Sequence, residues 1–303
     1  MIKALVPKVL SCRDEMNAKQ LSNAIFGLRN MSSDHVEVLA LVQALAEKVA
    51  NSSEHWQLSQ LAMVLYGMQG LSSSREEVGS MLSAVALKAI DMVQEKNVDV
   101  TALANAFFGL QRMTTNNPDV HRIVGVLLNK LSSVAPNVVV SARACANMIY
   151  GLHGSSCGYE VVKKLLYRIA DHIQQVSDTF MGSPRQNNVV DAYGEPLAPY
   201  DRLEDILVLY QATALTLFAL RELDNDSDLQ ARMYAELSSL RSIVDSHKSE
   251  LPQPSTTAAE KRLHKELGDV LSREPFSVST GVLVHGFEMS ALVQLAPNVQ
   301  LKT

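Results

Sequence analysis

One eleven-residue stretch recurs along this chain, and that recurrence constrains the fold more than any other feature. LANAFFGLQRM (Leu103 to Met113) returns as LSNAIFGLRNM (Leu21 to Met31), LAMVLYGMQGL (Leu61 to Leu71) and CANMIYGLHGS (Cys145 to Ser155). A degenerate copy, TALTLFALREL, runs from Thr213 to Leu223. Gly27, Gly67, Gly109 and Gly151 stand 40, 42 and 42 residues apart, each directly preceded by an aromatic: Phe26, Tyr66, Phe108 and Tyr150. Self-similarity at a fixed period of this length is the signature of stacked helical repeats.

Each unit parses as two helices. Leu103, Ala106, Phe107, Leu110 and Met113 follow the helical period, while Phe108 lies off that stripe, as in a helix packed on two sides. Glycine inside a helix costs about 1 kcal/mol relative to alanine, so its return in four units predicts close approach of a neighbouring backbone. Ala219, the next smallest residue, fits that role in the fifth copy. Ser/Thr/Asn-rich turns follow. Asp34 with Glu37 and Ser74 with Glu77 have capping-box spacing, and Pro118 after Asn117 suits a first helical turn. The second helices end on Lys48, Lys88 and Lys130, each 21 residues beyond its glycine. Lys8 has the same local context, so the chain is expected to begin within a repeat, as a fragment or behind a short capping helix.

The expected architecture is therefore all-α: an α-solenoid of about five helix pairs over residues 1–250. The wider spacing before the fifth copy marks a loop insertion at 178–200. Residues 251–259, with Pro252 and Pro254, read as a linker. Residues 260–303 read as a charged helix followed by strands, a short α/β-like tail. Two strands alone are not stable, so the tail is expected to open a further domain.

The net charge of -5 is mild. Residues 1–200 are balanced and residues 201–250 hold the acidic excess, which argues against strong non-specific nucleic-acid binding. Cys12, Cys145 and Cys157 lack zinc-type spacing and read as thiols in a reducing compartment. No phosphate loop, dinucleotide turn, metalloprotease motif or nucleophile elbow is present. The reading is of a non-enzyme without cofactor or metal. His35, His121 and His172 are expected at the surface, and His55–Trp56 at a packing corner. No apolar run reaches the roughly 20 residues of a membrane helix.

What the sequence offers instead is a column of polar residues. Two positions after each glycine (or Ala219) come Arg29, Gln69, Gln111, His153 and Arg221. Four positions before it come Asn23, Asn105 and Asn147, with Met63 and Leu215 as exceptions. One variable hydrogen-bonding residue per repeat, on a constant scaffold, is how helical arrays read single-stranded RNA. The exposed edge of each first helix would give the same pattern without any such role, and a protein-binding scaffold of the HEAT or armadillo kind is the alternative.

The Asn-Ala-apolar-aromatic-Gly-Leu core, the Ser-rich turn and the Ala-Leu-x-x-Lys-Val close resemble the octotricopeptide and related helical repeats of organellar RNA-binding proteins. The FAST-kinase-like group with a C-terminal RAP domain belongs to that set. The resemblance covers residues 1–250, though the period here exceeds the family's usual one. Gly281 to Glu288 resembles the entry into a RAP domain, without the acidic motif that would follow. The resemblance implies single-stranded RNA as the partner, alongside ribosomal or other organellar RNA-processing proteins. It implies action on transcript stability, processing, ribosomal RNA or translation in a mitochondrion or plastid; without it the expectation is cytoplasmic. A RAP domain beyond this chain would make the whole an RNA endonuclease, a further alternative.

Overall fold

The computed structural model describes residues 2–92, 98–135, 138, 140–156, 159–182, 199–219, 227–247, 249, 276–284 and 287–295. Up to residue 247 every regular element described is a helix. One set comprises α2 (Ala18–Phe26), α4 (Leu58–Gly67), α6 (Val100–Phe108), α8 (Ala142–Gly151) and α10 (Pro199–Ala219). The other comprises α1 (Ile2–Ser11), α3 (Val36–Asn51), α5 (Glu76–Ile90), α7 (Pro118–Ser132), α9 (Glu160–Gly182) and α11 (Ser227–Ser246). Within each set every helix packs on the one before and the one after, and the two sets touch within each pair, as α6 does on α7. We call them the A row and the B row.

The glycines explain the A row. A Cβ on Gly67 would lie 2.3 Å from the Ile25 carbonyl oxygen, on Gly109 2.2 Å from that of Leu65, and on Gly151 1.9 Å from that of Phe107. No side chain fits there, so each glycine admits the carbonyl edge of the previous A-row helix. The glycines end their helices rather than interrupt them, and Gly109 has ordinary right-handed geometry (φ −61°, ψ −19°). What is needed is the missing Cβ, not backbone freedom. The chain then tightens into i→i−3 bonds, Leu110 N–H to Phe107 O and Met113 N–H to Leu110 O, which carry Leu110 and Met113 into the core. At the fifth copy, the Thr216 hydroxyl donates to the Ile149 carbonyl (3.1 Å), the counterpart of the carbonyls that rest on glycine elsewhere.

Polar groups repeat the same junction. The Ser72, Thr114 and Ser156 amides donate to the hydroxyls of Ser33, Ser73 and Thr115, one repeat earlier, at 3.2, 3.1 and 2.9 Å. This corrects the expected capping boxes. The caps of α3 and α5 are His35 and Arg75, without side-chain cap bonds. Asp34 instead accepts from the Ser32 hydroxyl, which holds its carboxyl below the usual range. Asn117 does cap α7, with Pro118 at its start. In the B row, the Lys48 ammonium donates to the Cys12 carbonyl at the end of α1, and Lys88 to the Ser52 carbonyl at the end of α3. A cation there satisfies an orphan carbonyl and opposes the helix dipole. Lys130 is buried.

Two further expectations shift. The helix α9 runs to Gly182 and α10 starts at Pro199, so both ends of the predicted 178–200 loop are helical. His172 is buried, not exposed, because α9 is packed by α7, α8 and α11. His55 and Trp56 do form a corner: Trp56 is fully buried and His55 Nδ1 meets the Asp91 carbonyl at 3.2 Å. In the tail, β1 (Phe276–Val284) and β2 (Phe287–Leu295) pair antiparallel from Phe276↔Leu295 to Val284↔Phe287. The linker 251–259 and the helix expected after it lie outside the described residues. Among those described, no helix is long and apolar enough to cross a membrane.

The α9–α11 contact carries charges beside its apolar core. Arg232 bonds Asp171 at 2.8 Å and approaches Glu236 at 3.6 Å. Burial pushes the Glu236 carboxyl above its usual range and the His172 imidazole below its own. A carboxyl that is harder to ionise folded than unfolded supports folding at pH below its unfolded value, and that support is lost as pH rises through the folded value. Glu236→Gln should therefore raise Tm at pH 7 by about 2–4 °C, with the gain shrinking toward pH 4; calorimetry across that range reads it. For the A row, Gly109→Ala should cost about 2 kcal/mol or more through forced overpacking. Gly27→Ala should change stability by less than about 1 kcal/mol, because a Cβ there meets only its own turn, Ala24 O at 3.1 Å. Urea midpoints compare the two, and equal losses would sink the packing account.

Candidate nucleic-acid interface

The residues before each glycine form the most regular object in the structure. The Phe26, Tyr66, Phe108 and Tyr150 rings stack in sequence, with centroids 5.8, 5.7 and 5.6 Å apart and planes 23°, 27° and 21° from parallel. The close helix approach permitted by the glycines brings these rings into contact across 40 or 42 residues of chain. All four are half-buried.

Helical spacing puts the predicted polar residues on the same strip. Asn23, Phe26 and Arg29 are three apart, as are Asn105, Phe108 and Gln111, and Asn147, Tyr150 and His153; the last of each triplet lies in the turn past its helix, where its amide donates to the aromatic residue's carbonyl and keeps the triplet on one side. The A row thus carries three parallel columns: asparagine, aromatic, polar. Asn105 and Asn147 touch across the repeat, Nδ2 of Asn147 donating to Oδ1 of Asn105 at 3.4 Å, and Asn23 is exposed. Met63 interrupts the asparagine column. A groove of about 450 Å³ lies there, lined by Phe26, Ser59, Met63, Tyr66, Asp99 and Asn105.

The polar column differs from a row of free readers. The Arg29 guanidinium carbon lies 4.6 Å from the Phe26 ring centroid, a cation–π contact at one end of the ladder. His153 stacks on Tyr150 at the other end, 5.9 Å between centroids. Gln69 Nε2 donates to the Arg29 carbonyl at 2.9 Å, tying two units together. Gln111 is half-buried beside the exposed Arg112, whose guanidinium donates to the Gly70 carbonyl at 3.2 Å. Arg221 lies outside the described residues.

Charge separates the rows. Between residue 17 and residue 155, the A-row helices and the turns after them hold Lys19, Arg29, Arg75, Arg112 and Arg143 against Asp34, with Glu54 and Asp99 in the loops that lead into α4 and α6. Asp99 is engaged in capping α6, through Thr101 and Ala102 amides at 2.9 and 3.1 Å. Arg143 is paired with Asp205 of α10 at 2.7 Å. The other acids of these repeats sit on or beside the B row, as Glu37, Glu47, Glu76, Glu77 and Asp119 do. The whole-chain balance therefore hides a mildly basic A-row strip.

The aromatic column was open to sequence reasoning, since an aromatic precedes every glycine at the repeat period. Counting each helix alone assigns Phe108 to an indeterminate side, and only the junction shows where it goes. Cys145, in α8, is inert: burial pushes its thiol up to about 12. No protein-family model and no curated protein matches the chain.

If the rings are coupled through stacking, a double-mutant cycle on Tyr66→Leu and Phe108→Leu should return a coupling of about 0.5–1 kcal/mol. Urea denaturation measures it, and additivity would show the rings to be mere neighbours.

Proposed function

We propose that this chain is an α-solenoid that binds single-stranded RNA along its A-row face, in the RNA metabolism of a mitochondrion or plastid. The observation that carries the reading is the shared strip: half-exposed aromatics flanked by asparagines and by Arg29, Gln69, Gln111 and His153, on the face where basic residues outnumber acidic ones. Asparagine, glutamine, histidine and arginine can each hydrogen-bond a base edge, and arginine and histidine also stack. The ring faces of the ladder are occupied by one another, so a base meets ring edges. The ladder acts as a ruler that spaces the polar side chains. Rungs of 5.6–5.8 Å exceed the roughly 3.4 Å rise of a stacked strand. A strand in register with them is therefore unstacked and single.

The resemblance to octotricopeptide-like repeats supports the same partner, and the β1–β2 hairpin fits the start of a RAP-like α/β domain. The near-neutral charge of the whole chain keeps the electrostatic share small. With about three phosphates neutralised by Lys19, Arg29 and Arg112, log K should fall with log salt at a slope of about −2.

Fluorescence anisotropy with a pool of short single-stranded RNAs at two salt concentrations tests this. Saturable binding with that shallow slope is expected, along with at least about tenfold weakening when Asn23, Arg29, Gln111 and His153 are together changed to alanine. Affinity unchanged by the four substitutions, with the circular dichroism melt intact, would take the RNA off this face. Failure of the native chain to bind at low salt would favour the protein-scaffold reading.

A further inference from the structure

The groove between α4 and α6 owes its character to Met63. Between α6 and α8 the asparagine column closes on itself, with Asn147 Nδ2 donating to Asn105 Oδ1. Between α4 and α6 it cannot, because residue 63 carries a thioether, at best a weak acceptor. Asn105 Nδ2 therefore has no hydrogen-bond partner among the described residues, although Asn105 is half-buried and lines the groove.

At the other end of the groove stands Asp99. Its Oδ1 accepts both amides that cap α6, from Thr101 and Ala102, and its Oδ2 accepts from no described residue. The caps of α2, α4 and α8 are Asn17, Gln57 and Ser141, all neutral, so capping by itself does not call for a carboxylate. Asp99 and Asn105 are six residues apart, about 9 Å along the helix. That span admits a base edge with a hydrogen bond of about 2.9 Å at each end. The buried Ala62 and Ala102, with the half-buried Met63, supply the apolar wall.

One turn before the asparagine column, the matching positions are Lys19, Ser59, Thr101 and Arg143. The groove thus has the exposed Ser59 and Thr101 on its wall and a cation one repeat away on either side. Lys19 is exposed, and Arg143 is paired with Asp205. Cations in these places offset the repulsion between Asp99 and the phosphates that flank a bound base.

We infer that this groove is a guanine subsite, holding one unstacked guanine of a single strand through Asp99 and Asn105. The inference rests on the RNA reading above and adds the base that the chain selects. A carboxylate only accepts, and the Asn105 NH2 group only donates. Guanine presents two adjacent donors, N1–H and N2–H, beside the carbonyl O6. Asp99 takes the two donors in charge-assisted bonds, and Asn105 Nδ2 donates to O6. Uracil offers the carboxylate one N–H, and adenine and cytosine offer only their exocyclic amine. The polarisable Met63 side chain packs on the ring. The site lies on the asparagine side of the ladder and is separate from the polar column.

Anisotropy titrations of the whole chain compare short labelled RNAs with one variable base in a run of adenines. That base is guanine, adenine, cytosine, uracil or hypoxanthine. Guanine should bind about tenfold or more tightly than adenine, cytosine or uracil. Hypoxanthine, which lacks the N2 amine, should fall between. Asp99→Asn keeps a good helix cap and should bring the guanine-to-adenine ratio within twofold, with the melting curve unchanged. Asp34→Asn removes the same charge from the turn after α2 and should leave the ratio intact, which separates contact from charge. Binding of all five RNAs alike, hypoxanthine bound as tightly as guanine, or a guanine preference that survives Asp99→Asn would each overturn the subsite and leave the RNA reading standing. Loss of the preference in Asp34→Asn as well would overturn it too. Binding of none of the RNAs at low salt would overturn both.

Discussion

Everything regular in this array depends on the contact between a glycine Cα and the carbonyl edge of the preceding A-row helix. Because a Cβ would have to lie within about 2 Å of that backbone, the helices can approach more closely than side chains would allow. At that approach the rings before the glycines come within 5.6–5.8 Å. The turns come close enough for a hydroxyl of one repeat to accept from an amide of the next, and Gln69 to reach the Arg29 carbonyl. Spreading the helices by the width of a methyl group would weaken all of these together. The glycine is thus the least chemical residue of the motif and the one on which the others depend.

Each unit also leaves its polar groups for a neighbour to complete. The lysine near the end of one B-row helix satisfies a carbonyl of the previous one; the buried hydroxyl of one turn satisfies the next. No unit closes its own inventory, so cohesion is a chain of nearest-neighbour terms, as in other repeat proteins. The α9–α11 contact departs from this pattern. There, the Arg232–Asp171 ion pair and the buried Glu236 add charged groups to the apolar packing of the two helices.

Much of this could be read from the sequence because the repeats supply their own control. Four glycines at one period make a steric cause more credible than four separate accidents, and Ala219 at the fifth copy fits the same cause. Local rules failed where the partner is distant. Asp34/Glu37 and Ser74/Glu77 have the spacing of capping boxes, but the hydroxyls of these turns bond across 39–41 residues, a distance that no window of four residues can register. The destination of Phe108 is hidden from a single helix for the same reason. Its partners, Tyr66 and Tyr150, each lie 42 residues away and become neighbours only through the glycine contact.

That geometry also reshapes what the polar column can do. Of its four described members, Arg29 and His153 lie against the end rings of the ladder and Gln69 bonds a neighbouring carbonyl. A strand lying along the A row must therefore exchange these internal partners for base edges. The exchange is inexpensive for Arg29, whose exposed cation–π contact contributes only about 0.5–1 kcal/mol. It is harder for Gln69, whose displacement leaves the Arg29 carbonyl to find another donor. Discrimination between bases should consequently rest on the exposed Asn23, on Gln111 and on the two ends, while the middle of the ladder sets spacing. A column that looks uniform in sequence is graded in the folded chain by what each member already holds.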